Sequence, residues 1–365
     1  MQKFNNILVH SLVNIGDVLL STSAVALLRQ AYPQAKVTMM VRPAAADIVR
    51  NNPVIDDIIV YDYTSKYNTF WDMLNFIRNI RQRKFDLSVS FDRKLRPALI
   101  ALLAGIPIRV GPDRIFDDKP SYVTRLFTHT VHIPHDIINT HQSENYQAIV
   151  RGFFGVEGLA RPVMGRYTDK NINNADSLIN LLPRKKYRIA LCVKGTFKLK
   201  NWPQDYFAQL VDELAARYDA AFFIIGAHED REYADEIINR TKTFVANFCG
   251  RTTLLDLAAL LTKADLFITV DTGAMHIASA IGIPLVAIFG CTSPNRWRPL
   301  NNKSAIHYAS LPCSPCAVSE NECQTKECLT RIRVEDVLQS AANLLESRAN
   351  SEGEGRSKLE HCDNA

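Results

Sequence analysis

Apolar residues follow two rhythms along this chain. Short runs rich in Ile, Val and Phe, at residues 6–10, 36–41, 57–61 and 86–91, alternate with stretches whose apolar residues recur at helical spacing, as at 18–31 and 70–83. The rhythm restarts in the second half, with runs at 187–193, 220–226, 243–247, 264–270 and 283–289 and helical patterns at 205–218, 230–240, 254–262 and 274–281. Strand-like runs alternating with helix-length segments are the pattern of parallel βαβ units. Residues 152–183 are richer in Gly, Pro, Asn and Asp, have weaker periodicity, and predict a linker. The expected fold class is α/β, with two doubly wound parallel-sheet domains, residues 1–165 and 180–346, facing each other across a cleft. Residues 347–365 are polar, lack apolar periodicity and predict a disordered tail. Sheets of this kind bind ligands beyond the carboxyl ends of their strands, so the loops that follow strands are where chemistry is sought.

Composition narrows the partners. The 365 residues suit two domains, and 47% apolar with 22% charged residues is ordinary for a globular chain. Lys and Arg number 43 against 38 Asp and Glu; the resulting +5 suits an anionic ligand or membrane surface and does not call for nucleic acid. The most apolar stretch, residues 98–108, is shorter than the roughly 20 residues that cross a bilayer. The N-terminus has no long apolar signal segment. A cytoplasmic protein, soluble or peripheral at a membrane, is the expectation. Cys192, Cys249 and Cys291 lie in or beside strand-like runs and read as small buried hydrophobes.

Three strand–turn–helix junctions carry candidate chemistry. In Asn14-Ile-Gly-Asp17, Gly16 permits a tight turn and Asp17 precedes or opens a helix expected from about Val18. Asp17 is then either an N-cap or a general base. In Asp271-Thr272-Gly273-Ala274-Met-His276, backbone N–H groups and the positive end of a helix form a natural phosphate or diphosphate site. His276 falls in the first turns as a hydrogen-bond donor to that anion, or else is an interior histidine. In Gly195-Thr196-Phe-Lys198-Leu-Lys200-Asn-Trp-Pro203, a hydroxyl and two cations occupy a loop after a strand, as an anion site or as a solvated basic loop. No G-x-G-x-x-G and no G-x-x-x-x-G-K occurs, which counts against nicotinamide oxidoreduction and against ATP hydrolysis.

Taken together, Ile15-Gly-Asp17, Lys200-x-Trp-Pro203, Asp271-Thr-Gly-x-x-His276 and Arg296-Trp-Arg-Pro299 resemble the lipopolysaccharide heptosyltransferases of glycosyltransferase family 9, over residues 7–345. The resemblance implies two Rossmann-like domains of the GT-B type and inverting transfer of heptose from ADP-heptose to a phosphorylated lipid A-core acceptor. It makes Asp17 the base and Lys200 the cation on the donor phosphates, with Thr196 assisting. It makes Asp271, Thr272, Gly273, Ala274 and His276 the donor-binding turn. The ribose-binding acid falls at Glu229 or Asp230, and backbone near Arg251 and Thr252 flanks the adenine. No cofactor is required for catalysis on this reading. Asn14 and residues 194–198 depart from the family pattern and leave the donor sugar more open than the reaction type. Another nucleotide sugar, a protein acceptor, or nucleotide-sugar binding without turnover are the alternatives.

Two further features stand outside those junctions. Residues 78–96 hold seven basic side chains against two acidic ones. Arg93, Lys94 and Arg96 are the acceptor-side candidates there, facing an acidic glycolipid and, with it, the inner membrane surface; a solvated helix face is the alternative. Cys313-x2-Cys316-x6-Cys323-x4-Cys328 has the thiolate count of a structural zinc or iron site, with intervals shorter than common zinc ribbons. Disulfides or free thiols are the other readings. His129, His132 and His135 lack helical ligand spacing.

Overall fold

The computed structural model describes residues 3–360, apart from residues 68, 92–93, 115–121, 134–135, 137–138, 317–322 and 324. The chain divides into two compact units, Met1–Arg166 and Tyr167–Ala365. Each is built on a six-stranded parallel sheet. In the first, β1 (Asn6–Ser11), β2 (Lys36–Val41), β3 (Asp57–Val60), β4 (Leu87–Ser90), β5 (Ile108–Pro112) and β6 (His129–Val131) lie in the order β3-β2-β1-β4-β5-β6. Its helices are α1 (Ile15–Ala31), α2 (Pro43–Ala46), α3 (Phe70–Gln82), α4 (Leu95–Leu103) and α5 (Gln142–Phe154).

The second unit repeats the plan. Its strands β7 (Tyr187–Cys192), β8 (Ala220–Ile224), β9 (Val245–Asn247), β10 (Leu266–Val270), β11 (Leu285–Phe289) and β12 (Ser304–Tyr308) lie in the order β12-β11-β10-β7-β8-β9. The helices here are α6 (Asp169–Ile179), α7 (Gln204–Arg217), α8 (Arg231–Ile238), α9 (Leu254–Leu261), α10 (Gly273–Ile281), α11 (Pro294–Trp297), α12 (Glu327–Thr330) and α13 (Val334–Glu360). Both orders reverse direction beside the unit's first strand, at β1/β4 and at β7/β10. The loops leaving those two strands diverge to opposite faces and leave a crevice at the carboxyl ends.

Apolar residues dominate the central strands because helices cover both sheet faces. Ile7, Leu8 and Val9 of β1, and all five residues of β10 and β11, are buried. In the second unit the core joins β7, β8 and β10 to Phe207, Leu210 and Leu214 of α7 and to Val337, Leu338, Ala341 and Leu345 of α13. Trp202 is fully buried there, with its indole N–H donating to the Ile332 carbonyl at 3.0 Å. The Trp-Pro pair thus anchors the loop bearing Lys200 to the core.

Several expectations are corrected. The stretch read as a linker contains α6, packed on α9. Helix α1 begins at Ile15, three residues before the expected start. The α13 backbone runs past residue 347 to Glu360. Strands β5, β6 and β12 were not anticipated; β6 and β12 are edge strands with partly exposed residues, and their sequence signal is correspondingly weak.

Candidate active site

The crevice of the first unit is framed by the segments leaving β1 and β4. After β1, Asn14 is the N-cap of α1 in extended conformation, and the Val18 amide donates to the Asn14 carbonyl at 2.9 Å. Asp17 therefore lies inside the first helical turn and is not the cap. Its carboxylate sits where the helix dipole favours negative charge. Tyr146 of α5 donates its hydroxyl proton to Asp17 Oδ1 at 2.8 Å, and the Tyr146 ring is buried against Phe91. A carboxylate oriented by a buried phenol, at the carboxyl end of the first strand, has the placement a general base needs.

On the other side of that crevice, Lys94 caps α4 and Arg96 lies in its first turn. Both are exposed, and the Arg96 guanidinium stacks 4.3 Å from the Tyr63 ring centre. Lys94 and Arg96 share a pocket of about 560 Å³ with Leu12, Tyr63, Met73 and Leu95. Two of the three acceptor-side candidates are thus brought together beside the loop that leads to Asp17. Arg93 lies outside the described residues.

In the second unit, Lys200 and Asp271 meet at the β7/β10 crevice. Lys200 closes a 3-10 turn (Lys198–Lys200) in the loop after β7, and Asp271 directly follows β10. Lys200 Nζ lies 2.7 Å from Asp271 Oδ2, with side chains only 15% and 5% exposed. The Thr292 hydroxyl donates to the same carboxylate at 2.8 Å. Gly195 permits this approach: a Cβ there would stand 2.7 Å from Lys200 Cβ. Asn201 braces the loop by accepting from the Gly195 amide at 2.8 Å.

Beside the ion pair, α10 starts at Gly273 with Thr272 as N-cap, and no side-chain cap bond forms. The Thr272 hydroxyl turns instead toward Thr269 Oγ1, 3.3 Å away, and Cys192 Sγ, 3.8 Å away. The first amides of α10, including Gly273 and Ala274, therefore keep their donor capacity for an anion. His276 is one turn into the helix and 5% exposed. Burial pushes its pKa down to about 4, with Asp271 opposing and Lys200 assisting. At neutral pH it offers an anion an N–H and no charge.

Glu229 and Asp230 differ in their surroundings. Asp230 accepts from the Ala227 amide at 2.9 Å and pairs with Lys194 Nζ at 2.9 Å. Glu229 is exposed on the same short turn. Thr196 and Arg251 are exposed as well, Thr252 is half-buried, and the Arg251 guanidinium lies 5.4 Å from the Phe248 ring centre. The sequence reading missed Tyr146, Thr292 and Lys194. Thr292 follows β11, so a search of every loop after a strand reaches it. Tyr146 lies mid-helix, 129 residues from Asp17, with no local signal.

Cys313, Cys316, Cys323 and Cys328 line a cavity of about 300 Å³ together with Cys291, and all five are free thiols. Among the described residues, no group of three or more His, Cys, Asp or Glu is placed to hold a metal ion. The expected zinc or iron site is thus unsupported. Burial and the surrounding thiols push the Cys328 pKa up to about 11, which keeps it protonated. His132 instead pairs with Asp113 at 2.8 Å and His141 caps α5; His135 lies outside the described residues.

Comparison with known proteins fits this arrangement. The family model described as glycosyltransferase family 9 (heptosyltransferase) matches residues 73–327. Lipopolysaccharide heptosyltransferase 3 of Escherichia coli K12 is 26% identical over 355 residues, spanning 92% of this chain and 97% of that protein. Among solved structures, the family 9 glycosyl transferase of Veillonella parvula superposes with a TM-score of 0.82 at 22% identity, covering 95% of this chain and 99% of the other. The Escherichia coli ADP-heptose lipopolysaccharide heptosyltransferase II gives 0.77 at 22% identity, covering 94% and 99%.

Proposed function

Because the chain belongs to glycosyltransferase family 9, the heptosyltransferases, we propose the division of labour by which it moves a heptosyl unit from ADP-heptose to the lipopolysaccharide inner core. The second unit holds the donor. Lys200 and the first amides of α10 receive the diphosphate, His276 adds a neutral N–H, and Glu229 meets the ribose. Asp271 and Thr292 act as positioning residues, since a carboxylate pointed at a phosphate would repel it; they hold Lys200 in place. Thr196 lies on the same loop, and backbone near Arg251 and Thr252 borders the adenine.

The first unit activates the acceptor. An acceptor hydroxyl oxygen attacks the anomeric carbon while its proton passes to Asp17. The bond from that carbon to the diphosphate oxygen breaks, ADP departs, and the configuration inverts in one displacement. Negative charge grows on the leaving diphosphate, where Lys200 and the helix amides stabilise it; each well-placed donor contributes about 3 to 4 kcal/mol. The proposal needs no catalytic cofactor. Lys94 and Arg96 receive the phosphates of a lipid A-core acceptor; Arg93, outside the described residues, is assigned the same role from its place in the sequence. Among the described residues no helix is long and apolar enough to cross a membrane; because the proposed acceptor is lipid-borne, we place the enzyme at the cytoplasmic face of the inner membrane as a peripheral protein.

The observation that carries this reading is the buried Lys200–Asp271 pair beside the uncapped start of α10, at the switch point of a doubly wound sheet. Calorimetry with ADP-heptose, ADP-glucose and UDP-sugars tests it, followed by mass detection of the glycosylated acceptor. Preferential binding and transfer of ADP-heptose supports it. Preference for a UDP-sugar, or binding without product, overturns it.

A further inference from the structure

The first unit exposes a cationic and apolar face that the chemistry of Asp17 does not use. On α3, Phe70, Leu74 and Arg78 follow one another at every fourth residue and so share one helix face, with Trp71 beside them. Phe70 is 64% exposed, Trp71 73% and Leu74 37%. The opposite side of α3 is well buried through Phe76, Ile77 and Ile80, so these outward residues are surplus to the core. Leu95, Leu102 and Leu103 of α4 are exposed too. Arg81 ties the two helices together by donating to the Leu103 carbonyl at 3.0 Å.

Basic side chains outnumber acidic ones around this face. Lys66, in the loop before α3, lies 5.4 Å from the Tyr67 ring centre, and Tyr67 in turn packs on Phe76. Arg78 is exposed on the stripe, and Lys94 and Arg96 stand at the rim of the pocket that Met73 and Leu95 line. Two carboxylates lie nearby, Asp72 bonded to the capping Thr69 and Asp62 accepting from Thr64 and Ser65; both keep their charge and are outnumbered by Lys66, Arg78, Lys94 and Arg96. Exposed Trp, Phe and Leu interleaved with Lys and Arg is the surface that settles into the headgroup layer of an anionic bilayer. A protein partner would be expected to supply acidic side chains and a defined shape; an extended patch with mostly basic charge at its edges matches a surface whose negative charge is spread laterally.

We infer that the exposed face of α3 and α4, centred on Phe70 and Trp71 and edged by Lys66 and Arg78, docks the protein on an anionic phospholipid surface. The inference deepens the proposed function and rests on its lipid-borne acceptor, since docking would hold the β1/β4 crevice near that acceptor. It is tested on the full chain by flotation with vesicles of phosphatidylglycerol and phosphatidylcholine, against phosphatidylcholine alone. Tryptophan emission is followed in parallel, because Trp202 is fully buried and Trp71 is the most exposed tryptophan. The expected result is binding to anionic vesicles only, weakened by high salt, with a blue shift that Trp71→Phe largely abolishes.

Phe70→Ser with Trp71→Ser should weaken vesicle binding at least about tenfold. Lys66→Glu with Arg78→Glu should weaken it at least about 25-fold, at roughly fivefold for each cation removed. Both double variants should transfer heptose to a soluble, deacylated acceptor at the unaltered rate. Equal vesicle binding by wild type and variants overturns the inference. So does a concentration-dependent dimer, without lipid, that Phe70→Ser with Trp71→Ser dissolves, since the face would then belong to a second copy. Loss of transfer to the soluble acceptor in the wild type strikes the proposed function instead and leaves the vesicle result to stand by itself.

Discussion

Replacing Lys200 by Met removes the cation while keeping most of the side chain's volume, and two consequences can be separated. Asp271 is 5% exposed at its side chain and keeps only its bond from Thr292 among the contacts described above. A charge-assisted hydrogen bond contributes about 1.5 to 3 kcal/mol, and stripping one partner from a fully buried pair costs about 3 to 5 kcal/mol. With Thr292 still in place, a stability loss of about 2 to 3 kcal/mol is expected. The catalytic loss is distinct: withdrawing one stabiliser of the leaving diphosphate, at about 3 to 4 kcal/mol, lowers kcat roughly 100- to 1,000-fold. Adding Asp271→Asn to Lys200→Met removes the unpaired buried charge, so stability should recover by about 1 to 2 kcal/mol. Turnover should not recover. Urea denaturation and steady-state transfer assays on the two single variants and the double variant form the cycle. Recovery of turnover together with stability in the double variant would refute the reasoning and reduce Lys200 to a structural partner of Asp271.

Three further outcomes are expected. Tyr146→Phe deletes the hydroxyl that donates to Asp17 at 2.8 Å and should lower kcat about tenfold. ADP-heptose affinity by calorimetry should not move, and a change in affinity alone would remove Tyr146 from the acceptor side. Glu229→Ala should raise the donor KM about tenfold at unchanged Tm, whereas Asp230→Ala, which breaks contacts to Ala227 and Lys194, should lower Tm; the reverse pattern assigns the ribose to Asp230. Burial lowers the pKa of His10 to about 3 and of His276 to about 4, from 6.5. The unfolded chain therefore binds more protons below pH 6.5, and stability falls as pH falls from there toward those folded values. Each histidine accounts for about 2 kcal/mol lost by pH 5. His10, whose two ring nitrogens have no hydrogen-bond partner among the described residues, can be replaced by Leu; urea melts at pH 7.5 and 5.0 should then show about half the histidine-dependent loss.

The sequence disclosed the central strands because parallel strands covered on both faces are mostly apolar, as β8 and β11 are throughout and β10 is apart from Thr269. Edge strands escape that constraint: β12 has no buried residue and carries no clear run. The helix through α13 was hidden beyond residue 347, where apolar periodicity stops. Val337, Ala341 and Leu345 anchor its earlier turns, and once a helix is nucleated each further residue adds at little cost. Strand–turn–helix junctions made Asp17, Lys200 and Asp271 readable. What fixes their orientation was not, because Tyr146 and Thr292 arrive from elsewhere in the fold. Whether Asp17 was the N-cap of α1 turned on three residues of helix boundary, which periodicity alone does not set. The cysteine spacing brings four thiols to one cavity, while thiolate count alone does not set the coordination geometry that a metal site needs.

The account stands or falls on Asp17 as the group that takes the acceptor proton. Asp17→Asn preserves side-chain volume and a partner for Tyr146 while removing basicity. Transfer from ADP-heptose should drop by about 100- to 10,000-fold, while calorimetric affinity for ADP-heptose stays within about twofold of the unaltered protein. Retained turnover, or donor affinity and turnover lost together, would contradict that assignment.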